Sequence, residues 1–455
     1  MKWRQVTAIP LSLFVLLLSS TLATAHGGSL RLSGQPVSTP VWLIIMTGGG
    51  VIAGSFLLTS LATNHEDIKA INNSKLSLAI DRSLQSTIMI IGSFIGSLLL
   101  VLTFLSAIIG PVTPRENFGL VFTWVGWWAG YTMTVYLIGN SWPIVNPWRL
   151  HTRILESGNR QIPDTFGVWP SAILLLLLVW IEIISPLAEQ PRLLAGAIVL
   201  YTLFTVTGSL IFQPSDWFRQ VDPLSQVFRI YGKVGIFHGT DDGLRARLPG
   251  TALISKSIYD ETPFIISLLW GTTFDGLVTT SLWNTGISWI VGIGIPPLLV
   301  YLGGLLIGYG LFFSLYQYAI THTRRFADTY LDEKYLQHRF ALALVPIAAG
   351  YHLAHFLGYF LSYIPAFVVL FQHPFGTPHS FELLMLPGWF SLFKLLFILI
   401  GHILAIWVAH SIAFEEFTGR LQPIRSQYPL IMIMIIYTMI SMWVVLQPQV
   451  QPLYL

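Results

Sequence analysis

The segment PFIISLLWGTTFDGLVTTSLW, residues 263–283, decides the topology of this chain, because it is the weakest of ten apolar segments. It carries Asp275 and several hydroxyl side chains, which are unfavourable in a bilayer. If this segment crosses a membrane, every later loop lies on the side that its charge favours. If it does not cross, all later basic loops are moved to the other side. The charge distribution therefore predicts that the segment crosses.

The composition of the whole chain is typical of a protein with many membrane spans. Of its 455 residues, 54% are hydrophobic and 10% are charged, whereas soluble domains carry about 25% charged residues. A net charge of +3 is too small to indicate a nucleic-acid partner, and the absence of cysteine excludes disulfides and thiolate metal sites. We predict an all-α polytopic membrane bundle that contacts lipid. The composition names no protein partner.

A transmembrane helix needs about 20 mostly apolar residues. Ten segments meet this requirement, which predicts about ten transmembrane helices. They are 41–62, 86–109, 118–139, 168–187, 193–212, 263–283, 289–320, 340–371, 387–414 and 429–447.

The N-terminus resembles a secretory signal peptide. Lys2 and Arg4 precede a short apolar stretch, and the small residues ATA end at Ala25, where signal peptidase would cleave. We predict a signal peptide over residues 1–25 and a single membrane domain over 26–455, with an uncleaved first helix as the alternative. Cleavage would place His26 at the N-terminus, where its amine and ring can chelate copper.

Basic residues lie almost entirely in alternate loops. Five loops hold 18 of the 24 Lys and Arg residues, and the positive-inside rule places them on the inner side of the cell membrane, with both mature termini outside. Lys394 lies near the outer end of its segment, from which its side chain can reach the interface. The long inner loop 213–262 mixes aromatic with basic residues and is predicted to lie on the membrane surface. The inner loops are 63–85, 140–167, 213–262, 321–339 and 415–428.

Four ionisable residues fall near the middle of the predicted membrane. His352 and His355 lie 12 and 15 residues from the inner end of their segment, or ~18–22 Å along a helix. Asp275 and His402 each lie 12 residues from the inner end of theirs. Their spacing predicts one layer of polar side chains from three helices.

Three imidazoles and one carboxylate suit a divalent transition metal, with zinc or copper as the leading candidates. We therefore predict a metal site formed by His352, His355, His402 and Asp275, in which Asp275 is either a ligand or a general base. The alternatives are a single haem held by His402 and one of the pair His352 and His355, or histidines that only bond to neighbouring helices. Further residues assigned to the site are Tyr351, His410 and Tyr437 as supporting groups, and His26, His373 and His379 as a possible second site.

Several motifs resemble a family of archaeal and actinobacterial multi-pass membrane proteins, some of which are named fenitrothion-hydrolase-like. The resemblance implies a helical membrane protein and metal-assisted phosphotriester hydrolysis, for which His352, His355, His402 and Asp275 match motif positions. The motifs are AHGG, VGWWAGYT, NSWPIVNPWR, GTTFDGL, GYHLAHFLGY, HPFG and GHILAIWVAH.

These features leave three classes of function open. A membrane-embedded metalloenzyme, a hydrolase or an oxidoreductase, would use the site on a lipophilic substrate. A transition-metal transporter would use the same residues as a binding site at the midplane. A non-catalytic membrane subunit would need the polar groups only for packing.

Overall fold

The computed structural model describes residues 40–150, 152, 158–240, 243–257, 259–377, 382–447 and 450–453. The predicted signal peptide, His26 and His379 lie outside the described residues.

Helices form most of the described chain, with short helical turns between them. The helices are α1 (Val41–Thr59), α2 (His65–Asn72), α3 (Arg82–Ile109), α4 (118–137), α5 (Trp142–Val145), α6 (Trp169–Ile184), α7 (Pro191–Ile211), α8 (Pro223–Gly232), α9 (Thr262–Leu277), α10 (Ser281–Gly292), α11 (Pro297–Ala327), α12 (Glu333–Ala341), α13 (Val345–Gln372), α14 (Ser391–Glu416) and α15 (Leu421–Leu446).

The predicted all-α membrane bundle agrees with this architecture. Within the described residues, seven helical stretches are long and apolar enough to cross a membrane, or eight if α9 and α10 form one bent span. Helix α6 is apolar but shorter. The structure therefore supports a membrane bundle, but not the predicted number of ten spans.

The weakest predicted span, 263–283, is broken. Helices α9 and α10 meet at an angle of 85°, and the Thr280 hydroxyl caps α10 by accepting from the Trp283 amide. Near the break, the Val450 amide donates to the Thr279 carbonyl at 2.8 Å. The end of α9 thus lies beside the segment that follows α15. The predicted crossing of this segment stays a prediction.

The predicted inner loops meet at one end of the bundle. The His65 ring lies 3.0 Å from the Phe414 carbonyl and 3.2 Å from that of Gly419. The Gln422 side chain donates to the Ala327 carbonyl at 2.7 Å. We call this the basic end, because the basic loops gather there.

A buried arginine ties the basic end together. Arg339 of α12 is 2% exposed and donates to Glu416 at 2.6 Å and to Glu415 at 2.9 Å. It also donates to the Ile254 carbonyl at 2.8 Å, and Tyr335 donates to Glu416 at 2.7 Å. One side chain therefore links α12, the end of α14 and the chain before α9.

A second ion-pair group lies at the start of α9. The buried Glu261 carboxylate accepts from Arg229 at 2.5 Å and from Lys233 at 2.9 Å. Burial alone would raise the pKa of Glu261, but the charges of Lys233 and Arg229 lower it to about 2. Glu261 is therefore an ionised anchor between α8 and α9.

The predicted surface loop 213–262 contains a buried helix and part of a sheet. Helix α8 packs inside the bundle, and Val227, Phe228 and Tyr231 have no exposed surface. Strands β2 (Phe237–Thr240) and β3 (Gly243–Arg247) follow it, and β1 (Lys75–Ala79) pairs with β3 to give the antiparallel order β1–β3–β2. The sequence does not show this sheet, because its strands are short and come from distant parts of the chain.

Candidate functional site

Helices α13 and α14 touch backbone to backbone. A Cβ atom at Gly350 would lie 2.6 Å from the Phe397 carbonyl oxygen, and one at Gly401 would lie 2.5 Å from that of Pro346. Each Cβ would also come within 3.0 Å of the other glycine's Cα. Small residues permit such close approach in membrane bundles. This crossing fixes the positions of the neighbouring polar residues.

His352 lies in a box of aromatic side chains on the far side of α13. Its Nδ1 shares a 3.1 Å hydrogen bond with the Tyr136 hydroxyl. The ring centroid lies 4.6 Å from that of Phe356, 5.9 Å from that of Trp128 and 6.0 Å from that of Tyr231. The ring is fully buried, and its Nε2 has no hydrogen-bond partner among the described residues.

The aromatic box depends on an unusual helix. Residues Phe122–Tyr131 of α4 form a π-helix, between an α-helical turn before it and α-helix after it. A Cβ at Gly130 would lie 2.4 Å from the Phe360 ring, so this stretch packs directly on α13. It carries the motif VGWWAGYT and places Trp128 beside His352. Because π-helical turns are rare and occur frequently at functional sites, this stretch makes the region a candidate for one.

His355 faces a buried cation. The side chain of Lys394 is close enough for its charge to act on the His355 ring, and the Tyr351 ring stacks on that ring with centroids 6.0 Å apart. Lys394 and Gly401 are seven residues apart, which places them on nearly the same face of α14. Lys394 therefore faces α13, two turns beyond the glycine crossing.

Lys394 is largely buried within the bundle, and its reach to the interface stays a prediction. It is 7% exposed, and no hydrogen bond or ion pair joins its ammonium group to another described residue. The segment before α14 covers this region, since the Leu384 amide donates to the Ser362 carbonyl at 2.9 Å. Phe390 would lie 3.2 Å from a Cβ at Gly358. Lys394 is thus enclosed by α13 and by the segment that precedes its own helix.

His402 and Asp275 each have contacts of their own near the crossing of α13 and α14. The His402 Nδ1 donates to the Ile398 carbonyl at 2.8 Å, and its buried Nε2 has no hydrogen-bond partner in the described part of the chain. Asp275 is partly buried and acts electrostatically on the Tyr351 hydroxyl. A Cβ at the adjacent Gly276 would lie 2.5 Å from that hydroxyl. Tyr351 therefore marks the contact between α9 and α13.

The four predicted metal ligands do not form a ready-made set. No group of three His, Asp or Glu side chains in the described ranges is arranged to hold a metal ion. The reason is rotation about the helix axis. His352 is two residues, about 200°, beyond Gly350 and so points away from α14. His402 remains bonded to the backbone of its own helix.

The predicted supporting residues have structural partners. His410 bonds to the Ala62 carbonyl at 2.8 Å and to Gln427 at 3.3 Å. Tyr437 donates to the Phe312 carbonyl at 3.0 Å. These bonds account for both side chains without a metal ion.

The possible second site is only partly described. His373 is an exposed residue at the end of α13, and its proposed companions His26 and His379 fall in ranges left undescribed. The grouping of the three therefore stays a prediction.

Sequence reasoning missed three members of the polar region: Lys394, Tyr136 and Tyr359. A signal for one of them was present, because Tyr351, His355 and Tyr359 are spaced four residues apart on one face of α13. No comparable signal indicated that Tyr136, on α4, would meet His352.

No protein-family model, curated protein or solved structure matches this chain. The resemblance to fenitrothion-hydrolase-like proteins stays a prediction, and the function has to be argued from geometry.

Proposed function

We propose that this protein is an integral membrane protein that binds an amphiphile with an anionic head group between α13 and α14. The observation that supports the proposal is the Lys394 side chain, which is 7% exposed and has no carboxylate partner among the described residues. The sequence predicts a lipophilic substrate. The proposal adds that this ligand carries an anionic head group, which Lys394 would bind.

A buried charge without a partner is unfavourable by several kcal/mol. An anionic head group would supply the missing charge, and the neighbouring groups suit such a ligand. Tyr351 and Tyr359 both carry buried hydroxyls for which the described chain offers no hydrogen-bond partner. His355 lies between them along α13. Tyr351 and His355, about 100° and about 140° around the helix from Gly350, are the donors nearer to Lys394, whereas Tyr359, at about 180°, faces away from α14 as His352 does. Carboxylate and phosphate oxygens are both suitable acceptors.

We expect Lys394→Met to weaken ligand binding. The two test ligands are radiolabelled palmitate, which carries a carboxylate, and radiolabelled lysophosphatidic acid, which carries a phosphate. Loss of a charge-assisted hydrogen bond worth about 1.5–3 kcal/mol corresponds to at least about a tenfold rise in Kd. The measurement is equilibrium binding to the purified full-length protein in a non-ionic detergent. The ligand that binds more tightly identifies the head group as carboxylate or phosphate.

Two further variants control this experiment. Lys394→Arg retains the charge and should retain most of the affinity. Lys69→Met removes the same charge from the exposed face of α2 and should bind like the wild type. Equal Kd values for Lys394→Met and the wild type, with both ligands, would reject the proposed function.

Metal binding is the second candidate function. It is favoured by the Nε2 atoms of His352 and His402, which are buried and have no hydrogen-bond partner among the described residues. In His402, Nδ1 carries the proton that bonds to the Ile398 carbonyl, so in a neutral ring Nε2 has a lone pair that can bind a metal ion. A zinc or copper ion at either ring would need ligands brought closer by movement or supplied by a substrate. This candidate includes the phosphotriester hydrolysis that the family resemblance implies.

Elemental analysis of the purified protein tests the metal candidate. About one bound metal ion per chain is expected if it is correct, with loss of that metal in His402→Ala and His352→Ala. His410→Ala is the matched control, because its ring already has two bonding partners. A metal-free wild type, purified without chelators, would exclude this candidate.

A further inference from the structure

One face of the three-stranded sheet at the basic end is cationic. Side chains alternate between the two faces of a strand, so Arg245 and Arg247 of β3 share a face. The strand register places Lys75 of β1 opposite Arg247 and His238 of β2 opposite Arg245. We call these four residues the basic face.

The basic face brings the charges of Lys75, Arg245 and Arg247 together without a compensating acid in the described chain, whereas burial lowers the pKa of His238. Like charges directly opposite one another destabilise a sheet. No ion pair to Lys75, Arg245 or Arg247 is formed among the described residues. The Nε atoms of both arginines are buried and have no hydrogen-bond partner there. Burial and the charge of Arg245 lower the pKa of Arg247. This arrangement suits an anionic ligand.

The opposite face of the sheet is apolar and open. Leu76 and Leu78 are 64% and 47% exposed. Strand β1 ends at Ala79, and α3 begins at Arg82 with exposed apolar side chains from its first turn, including Leu84. Since α3 is a candidate membrane span, the sheet lies only a few residues from the expected bilayer boundary. In a bilayer that α3 crosses, the sheet would lie at the level of the lipid head groups.

We propose that the basic face binds the phosphate groups of anionic phospholipids at the membrane surface. Guanidinium groups pair well with phosphate oxygens, and basic groups near a bilayer attract anionic lipids. With a membrane as the partner, the exposed leucines on the other face would lie in the interfacial layer. With a soluble partner such as RNA on the basic face, these leucines would stay exposed to water. The proposal is independent of the ligand site at Lys394. The basic face belongs to the three-stranded sheet, whereas Lys394 belongs to α14.

The test compares lipids by their effect on thermal unfolding of the full-length protein in detergent. Dioleoylphosphatidylglycerol should raise Tm, and dioleoylphosphatidylcholine should not. In Arg245→Gln/Arg247→Gln, the phosphatidylglycerol concentration at half the maximal shift should rise by ~tenfold or more, because each basic residue near anionic lipid contributes about 1 kcal/mol. High salt should reduce the wild-type shift.

The matched control is Arg324→Gln/Arg325→Gln, which removes the same charge from exposed positions at the same end. It should keep the wild-type response, and Tm without lipid verifies that both double variants fold. Lys394→Met should also keep it, which separates this proposal from the proposed function. An unchanged response in Arg245→Gln/Arg247→Gln, or an equal shift with phosphatidylcholine, would overturn the inference.

Discussion

Replacing Arg339 with methionine is expected to lower the free energy of unfolding by about 3–5 kcal/mol, because it leaves a buried carboxylate without its cation. The Glu416 side chain is 7% exposed and would keep only its hydrogen bond from Tyr335 and a distant Lys256, 4.0 Å away. Methionine retains much of the arginine's volume, so the effect reports the lost charge rather than a cavity. The measurement is equilibrium unfolding in mixed detergent–SDS micelles.

A second variant separates charge from packing at this position. Adding Glu416→Gln to Arg339→Met removes the uncompensated charge and should restore part of the lost stability. Arg324→Met, at an exposed position of α11, is the matched control and should change stability by less than about 0.5 kcal/mol. A loss below about 1 kcal/mol in Arg339→Met would mean that the buried ion pairs do not hold α12 to α14.

The second large effect is expected for Gly401→Ala. The added methyl carbon would lie 2.5 Å from the Pro346 carbonyl oxygen and 3.0 Å from the Gly350 Cα, and neither backbone atom can rotate away. Helices α13 and α14 must then separate along their whole contact. We expect a loss of about 3 kcal/mol or more, at the upper end of overpacking effects. The same unfolding measurement in micelles applies.

Gly310→Ala is the control for this substitution. Gly310 lies inside α11, and no atom lies within 4 Å of an added Cβ. There alanine should be neutral or stabilising, since it restricts the unfolded chain and favours the helix. If Gly401→Ala were as stable as Gly310→Ala, the close crossing of the two helices would be incorrect.

The class of fold and the grouping of the loops could be predicted from sequence. The length of the apolar segments indicates a membrane bundle. The distribution of Lys and Arg predicts which loops lie on the same side. The contact between His65 and the Gly419 carbonyl shows that two of these loops do meet. Both signals depend only on local composition. They carry no information about helix bends, so the break between Leu277 and Ser281 was not predicted.

The candidate site was less predictable because depth and direction are different properties. Counting residues from a helix end estimates the height of His352 and His402, but not the rotation of each helix about its axis. That rotation follows from the contact between Gly350 and Gly401 and from the π-helix of α4. Both are tertiary features, and the described residues show no group of three His, Asp or Glu side chains arranged around one ion.

The small sheet has a consequence for the order in which the chain is made. Strand β1 leaves the ribosome early, but its partner β3 follows only after the chain has passed through α3 to α8. The backbone amide and carbonyl groups of β1 therefore stay unpaired at the membrane surface until β3 has been synthesised. Pairing then joins the first third of the polypeptide to its centre, so the sheet acts as a late closure in biosynthesis.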